Sequence, residues 1–174
     1  MNMKSLKKNL LRNVLNVPGY RTTRKLVIIE SDDWGSIRMA STEAFSSLLN
    51  KGYPVDKNLF NIYDTLENDK DLEILFEVLE STEDKNGNPA KMTLNFVTAN
   101  PDFDKIRNSG YNEYYYEPIV ETYNRYPGSE KAMDLLKEGL VRNLVKPQFH
   151  GREHVNVKKW MDALKSKHKA VLDA

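Results

Sequence analysis

Two adjacent aspartates, Asp32 and Asp33, follow the apolar run Val27, Ile28 and Ile29 in the stretch VIIESDDWGS. Neighbouring carboxylates repel one another and are costly beside a core unless something positive holds them. A second cluster is HGREH, residues 150 to 154, in which His150 and His154 stand four residues apart. On a helical turn that spacing puts both imidazoles on one face, able to share one metal ion. One aspartate with two histidines makes an N,N,O set that leaves positions open for water and substrate. The other aspartate stays close enough to take a proton from the metal-bound water. Adjacent residues at a strand end point in different directions, so the pair can divide these tasks. Each cluster also has a plainer reading. Paired aspartates suit a turn that caps a helix, and the two histidines could be solvated loop residues. Their joint placement after separate strands favours the metal site. His168, among the lysines of KSKHKA, reads as solvated surface.

The elements that must position these groups alternate strand and helix. A strand is expected over about Lys25 to Glu30, with Val27 to Ile29 as its buried middle. A helix follows from near Ser41, with Ala44, Phe45, Leu48 and Leu49 on one face and Gly52 past its end. Leu72, Leu75, Phe76 and Leu79 form the apolar stripe of a second helix. NGNP at 86 to 89 is a turn, and MTLNFVTA from Met92 is a second strand ending at Asn100-Pro101. Residues 104 to 129 read as irregular and rich in tyrosine, either a packed loop or a wall for stacking sugars. A helix from near Glu130 turns Ala132, Leu135, Leu136 and Leu140 inward. LVKPQF is a third strand, and Asn156 caps a last helix with Val157, Trp160, Met161 and Leu164 inside. KAVLDA begins a fourth strand. This alternation implies an α/β fold with a parallel sheet. Its strand C-terminal ends share one edge, where Asp32, Asp33, Asn100 and His150 would meet.

Composition bounds the partners. The chain has 174 residues, 40% hydrophobic and 29% charged, enough for one domain with a sizeable core. A net charge of +1 gives no field for nucleic acid or a membrane surface. With no cysteine, a transition metal must be held by His, Asp or Glu. The basic N-terminus, MNMKSLKKNLLRNVLNVPGY, has no unbroken apolar region of a signal peptide and no membrane span. Residues 1 to 24 are expected as a helical extension, residues 25 to 174 as the domain, and the cytoplasm as the location.

The two clusters resemble the motifs of the NodB-like polysaccharide deacetylases, carbohydrate esterase family 4. The first family motif is a strand followed by Thr-Phe-Asp-Asp-Gly, and here Glu30-Ser31-Asp32-Asp33-Trp34-Gly35 stands in its place. The second, His-(Ser/Thr)-x-x-His, corresponds to His150 and His154, with Gly151 at the hydroxyl position. TLNFVTANPDF is similar to the family's second strand. The resemblance implies that Asp32 is the general base and that Asp33, His150 and His154 bind one divalent metal ion. Zinc stands first, and cobalt, nickel or manganese would also suit. It further implies a hydrolase that removes acyl groups from a carbohydrate. Trp34, beside the aspartates, is a substrate-contact candidate or else a core residue under the strand end, and Asn100 is a second contact candidate. Ser31, the inserted Trp34 and Gly151 mark a divergent member.

The family fold is a distorted (β/α) barrel, which takes about 200 or more residues to close. The chain is therefore expected as the N-terminal part of such a barrel, with the family's later Leu-x-His general acid missing. It is expected to be inactive alone and to self-associate through exposed sheet edges. A non-catalytic half-barrel is the alternative. HGREH also fits H-x-x-E-H, a zinc-peptidase motif with Glu153 as base, but Pro147 and Gly151 oppose the helix it needs.

Overall fold

A computed structural model of the chain describes residues 3 to 19 and 21 to 173. Its elements, in order, are α1 (Met3–Leu15), β1 (Glu30–Trp34), α2 (Thr42–Asn50), a 3-10 turn (Val55–Lys57), α3 (Leu59–Tyr63) and α4 (Asp69–Ser81). Then come β2 (Met92–Val97), β3 (Ala99–Pro101), α5 (Phe103–Asn108), β4 (Tyr116–Pro118) and α6 (Ile119–Arg125). The last are α7 (Ala132–Val141), β5 (Val145–Gly151), α8 (Val157–Lys165) and α9 (Lys169–Asp173). The result is a mixed α/β fold. A three-stranded parallel sheet runs in the order β1-β2-β5, and β3 pairs antiparallel with β4. Among the described residues no helix is long and apolar enough to cross a membrane.

The helices form where side chains satisfy their free ends. Ser41 caps α2 by accepting from the Ala44 amide at 3.1 Å. Asn68 and Asp71 make a reciprocal capping box on α4, both bonds at 3.0 Å. Asn156 caps α8 through the Lys159 amide. The stripe Leu72, Phe76 and Leu79 of α4 packs with Leu94 of β2, Val145 of β5 and Leu66, Tyr123 and Leu144 in the main core. A smaller core holds Ile106, Met161 and Leu164, with Trp160, Tyr111, Tyr114 and Tyr115 against it. The tyrosine segment is thus largely packing.

Four expectations are corrected here. The first strand starts at Glu30, and Val27 and Ile28 are 88% and 77% exposed rather than buried. Pairing with β2 begins at Glu30 opposite Thr93, so residues 27 and 28 project beyond the start of their neighbour. The stretch from 104 to 129 is not irregular but carries α5, β4 and α6. Leu140 is half exposed, and Gly139 takes the inward place on α7 because the Phe76 ring fills the space a side chain would need. The segment expected as a fourth strand is α9, whose Val171 packs on the smaller core; Ala174 lies outside the described residues.

Gly139 yields a stability test. A Cβ there would stand 2.5 Å from Phe76 Cζ and 3.1 Å from Val145 Cγ2. Alanine would gain about 1 kcal/mol of helix propensity. Overpacking costs about 1–3 kcal/mol, and the fully enclosed Phe76 has little room to yield. Gly139→Ala is therefore expected to lower the midpoint of urea unfolding.

Candidate metal centre

Both clusters sit on irregularities at the C-terminal ends of the edge strands. Between Ser31 and Trp34, β1 carries one residue more than the facing stretch of β2, from Leu94 to Phe96. Between Phe149 and Gly151, β5 likewise carries His150 as an extra residue against Phe96 and Val97. A bulge of this kind bends the strand and re-aims its side chains. Asp33 takes the left-handed conformation, φ +67°, which aspartate tolerates better than most residues. Both side chains turn toward each other across the end of β2.

HGREH is not helical. His150 and Gly151 end β5, and the chain leaves through Gly151 at φ +138°. The helix that a zinc-peptidase reading needs is absent from this segment. The loop is tied down instead. The carbonyl of Arg152 accepts from the Ala99 amide at 2.7 Å and from Thr98 at 3.1 Å. The Arg152 guanidinium lies 4.9 Å over the Tyr116 ring and 5.5 Å over Tyr114, and forks onto Glu153. Burial, with the Glu153 carboxylate nearby, pushes the Tyr114 hydroxyl up to about 12. Beside this clamp the His150 and His154 rings stack 4.9 Å apart at 25°.

The donor atoms of Asp33, His150 and His154 all lie within 4.8 Å of one another. Asp33 Oδ1 is 3.0 Å from His154 Nε2 and 3.5 Å from His150 Nε2. Around an ion with bonds of about 2.0–2.2 Å, tetrahedral donors stand about 3.4 Å apart. Asp33 Oδ1 is buried and accepts no hydrogen bond, and the two imidazole nitrogens face it. An orphaned carboxylate oxygen facing two imidazole nitrogens is what a cation would satisfy, so the residues present fit a divalent ion. No family model, curated protein or solved structure matches the chain. Function is read from this geometry.

The other expected site residues have distinct placements. Asp32 is exposed, and its Oδ1 accepts from Asn95 Nδ2 on β2 at 2.6 Å. It stands outside the three-residue group. Trp34 packs on Phe96, centroids 6.1 Å apart, and against the main core. Asn100 is buried, and its side chain holds the turn after Asp33. Its Nδ2 donates to the Gly35 carbonyl at 2.8 Å, and its Oδ1 accepts from the Ile37 amide at 3.0 Å. Its polar atoms thus face the protein. His168 is exposed, as expected.

Two residues not singled out from the sequence complete the setting. Glu67 accepts from the Gly35 amide at 3.1 Å and from the Tyr123 hydroxyl, fixing the same turn from below. Arg38 reaches Asp33 Oδ2 at 3.2 Å. The aspartate pair itself called for a nearby cation, which could have pointed to Arg38. Nothing in the sequence marks Glu67 among the 25 acidic residues.

Burial raises the Glu67 carboxyl above the usual carboxylate range, opposed in part by the Tyr123 and Gly35 donors. A group whose pKa rises on folding favours the folded state most below its unfolded pKa. That contribution is lost as pH climbs through the folded value. Glu67→Gln removes the titration. The melting temperature of the natural chain is therefore expected to fall relative to that variant as pH rises from the ordinary carboxylate range through the raised folded value. A constant difference across that range would show that folding leaves the carboxyl's protonation unchanged.

Proposed function

We propose that the protein is a metal-dependent hydrolase of the polysaccharide-deacetylase type, removing acyl groups from a carbohydrate. The carrying observation is the convergence of Asp33, His150 and His154 on the unpartnered Asp33 Oδ1. The order of motifs along the chain supports the same reading, as does the parallel sheet, which on this proposal is part of a (β/α) barrel. Asp33, His150 and His154 would hold the ion, zinc first, with cobalt, nickel or manganese also suited to N,N,O donors. A bound ion supplies Lewis-acid polarisation of the acyl carbonyl and activates water at neutral pH. Asp32, free of the triad and oriented by Asn95, accepts the proton from the attacking water. Asn100 and Glu67 hold the turn that presents Asp33, and Trp34 anchors that turn to the core.

The test uses the whole chain with zinc or cobalt. Binding of a single ion is the expected result, and ion-dependent acetate release from acetylated chito- or xylo-oligosaccharides would show that the chain turns over without the later Leu-x-His acid, against the expectation that it is inactive alone. Failure to bind either ion would overturn the proposal. One observation favours a second reading, a non-catalytic half-barrel that keeps the metal centre. Among the described residues the three-stranded sheet has both edges unpaired, at β1 and β5; Phe149 of β5 is 75% exposed, and Val141 at the end of α7 is 85% exposed. Unpaired edges and bare apolar side chains promote association. On that reading the chain binds the ion, releases no acetate and elutes from a sizing column as an oligomer.

A further inference from the structure

We infer that Arg38 is a positioning residue for the metal centre, taking one oxygen of Asp33 so that the other is aimed at the two histidines. The inference rests on the metal reading above. A carboxylate turns easily about its last bond, which has a broad, two-fold preference. Left alone, Asp33 would present either oxygen, or neither, to His150 and His154. Arg38 removes that freedom. Its Nη2 stands 3.2 Å from Asp33 Oδ2, while Oδ1 is the atom facing both imidazoles.

Arg38 is itself fixed from the opposite side. Its Nε is 2.7 Å from Asp64 Oδ2, and its guanidinium lies 5.4 Å over the Phe60 ring. Phe60 belongs to α3, and Asp64 is the residue that ends it. A planar, charged fork held at two points by two carboxylates and covered by a ring has one orientation. The chain from Asp64 through Arg38 to Asp33 therefore links α3 to the donor atom. The side chains of Arg38 and Asp64 are 36% and 39% exposed, so as ion pairs they add little to stability. What they contribute is direction.

The sign of one measurement separates positioning from simple charge. Arg38→Ala removes a positive charge beside the place of a cation, so charge alone makes binding tighter. Loss of positioning makes it weaker, by about 10–100-fold if Arg38 behaves like other groups that orient metal ligands. The experiment titrates the whole chain and its variants with zinc against a chromophoric chelator, and with cobalt(II) by visible absorption, beside thermal melts. Arg38→Ala is expected to bind both ions about 10–100-fold more weakly and to change the cobalt spectrum. Arg38→Lys is expected to weaken binding too, because an ammonium keeps the charge but not the fork. Asp64→Asn should weaken binding less, and the double variant Arg38→Ala/Asp64→Asn no more than Arg38→Ala alone. Binding by Arg38→Ala as tight as, or tighter than, that of the natural chain would overturn the inference. If that variant does not fold, Arg38→Lys with unaltered affinity and spectrum overturns it equally. A natural chain that binds neither ion overturns the metal reading as well. A natural chain that binds normally beside unaffected variants overturns this inference alone.

Discussion

Asp33→Asn is expected to lose metal affinity by more than about 100-fold, beyond the range found when only an orienting neighbour is removed. Asparagine is the informative replacement. It keeps the size of the side chain and tolerates the left-handed backbone at φ +67°, whereas alanine would add strain at that position. What it removes is the charge of the oxygen that both imidazoles face at 3.0 and 3.5 Å. His150→Ala and His154→Ala should act in the same direction, each leaving two donors of the triad. Metal content after dialysis, measured by emission spectroscopy, checks all three. The melting temperature without metal should stay near that of the natural chain. An Asp33→Asn protein that retains its ion would show that the carboxylate is not a ligand.

Asp32→Asn should have the opposite profile. On the proposed reading the ion is retained, because Asp32 lies outside the donor group and bonds to Asn95 instead. Turnover should fall by about 10²–10⁴-fold, the usual contribution of a positioned proton acceptor. The measurement is acetate release under saturating metal, with metal content determined on the same sample. Loss of metal in Asp32→Asn together with retention in Asp33→Asn would mean that the two aspartates exchange roles.

Much of the architecture was legible because local signals agreed with their surroundings. Ser41, Asn68 and Asn156 stand at the starts of α2, α4 and α8 and cap them. The stripe of Leu72, Phe76 and Leu79 faces the core that its spacing implies. The short elements were not legible. The strand β4 spans three residues and α5 six, too few for either periodicity to register. The run Val27 to Ile29 misled for a different reason. Apolar β-branched residues favour strands, but a strand exists only where a neighbour reaches, and pairing with β2 begins at Glu30. At the site, Asp33, His150 and His154 were readable from type and spacing, but the reason they meet was not. A helical turn would align histidines four apart, whereas in the structure they stack at a bulged strand end beside the Arg152 clamp. Glu67 lies 32 residues from the glycine it holds, and only the folded chain shows that partnership.

On the proposed reading, the sheet order gives the candidate metal site a second significance. β1 and β5 are not neighbours, since β2 lies between them. Asp33 and His150 meet only by reaching over its end, so an ion held by both works as a clasp between the two outermost strands. The loop it closes is roughly a hundred residues long and contains α2 through α7. Such a clasp acts on the whole cooperative unit rather than on a pocket. Because it would bind only the arrangement in which the strand ends meet, it would stabilise the fold by an amount that grows with the logarithm of the free ion concentration above the dissociation constant. The free concentration of the ion would then govern how long the fold survives as well as whether it can carry out chemistry.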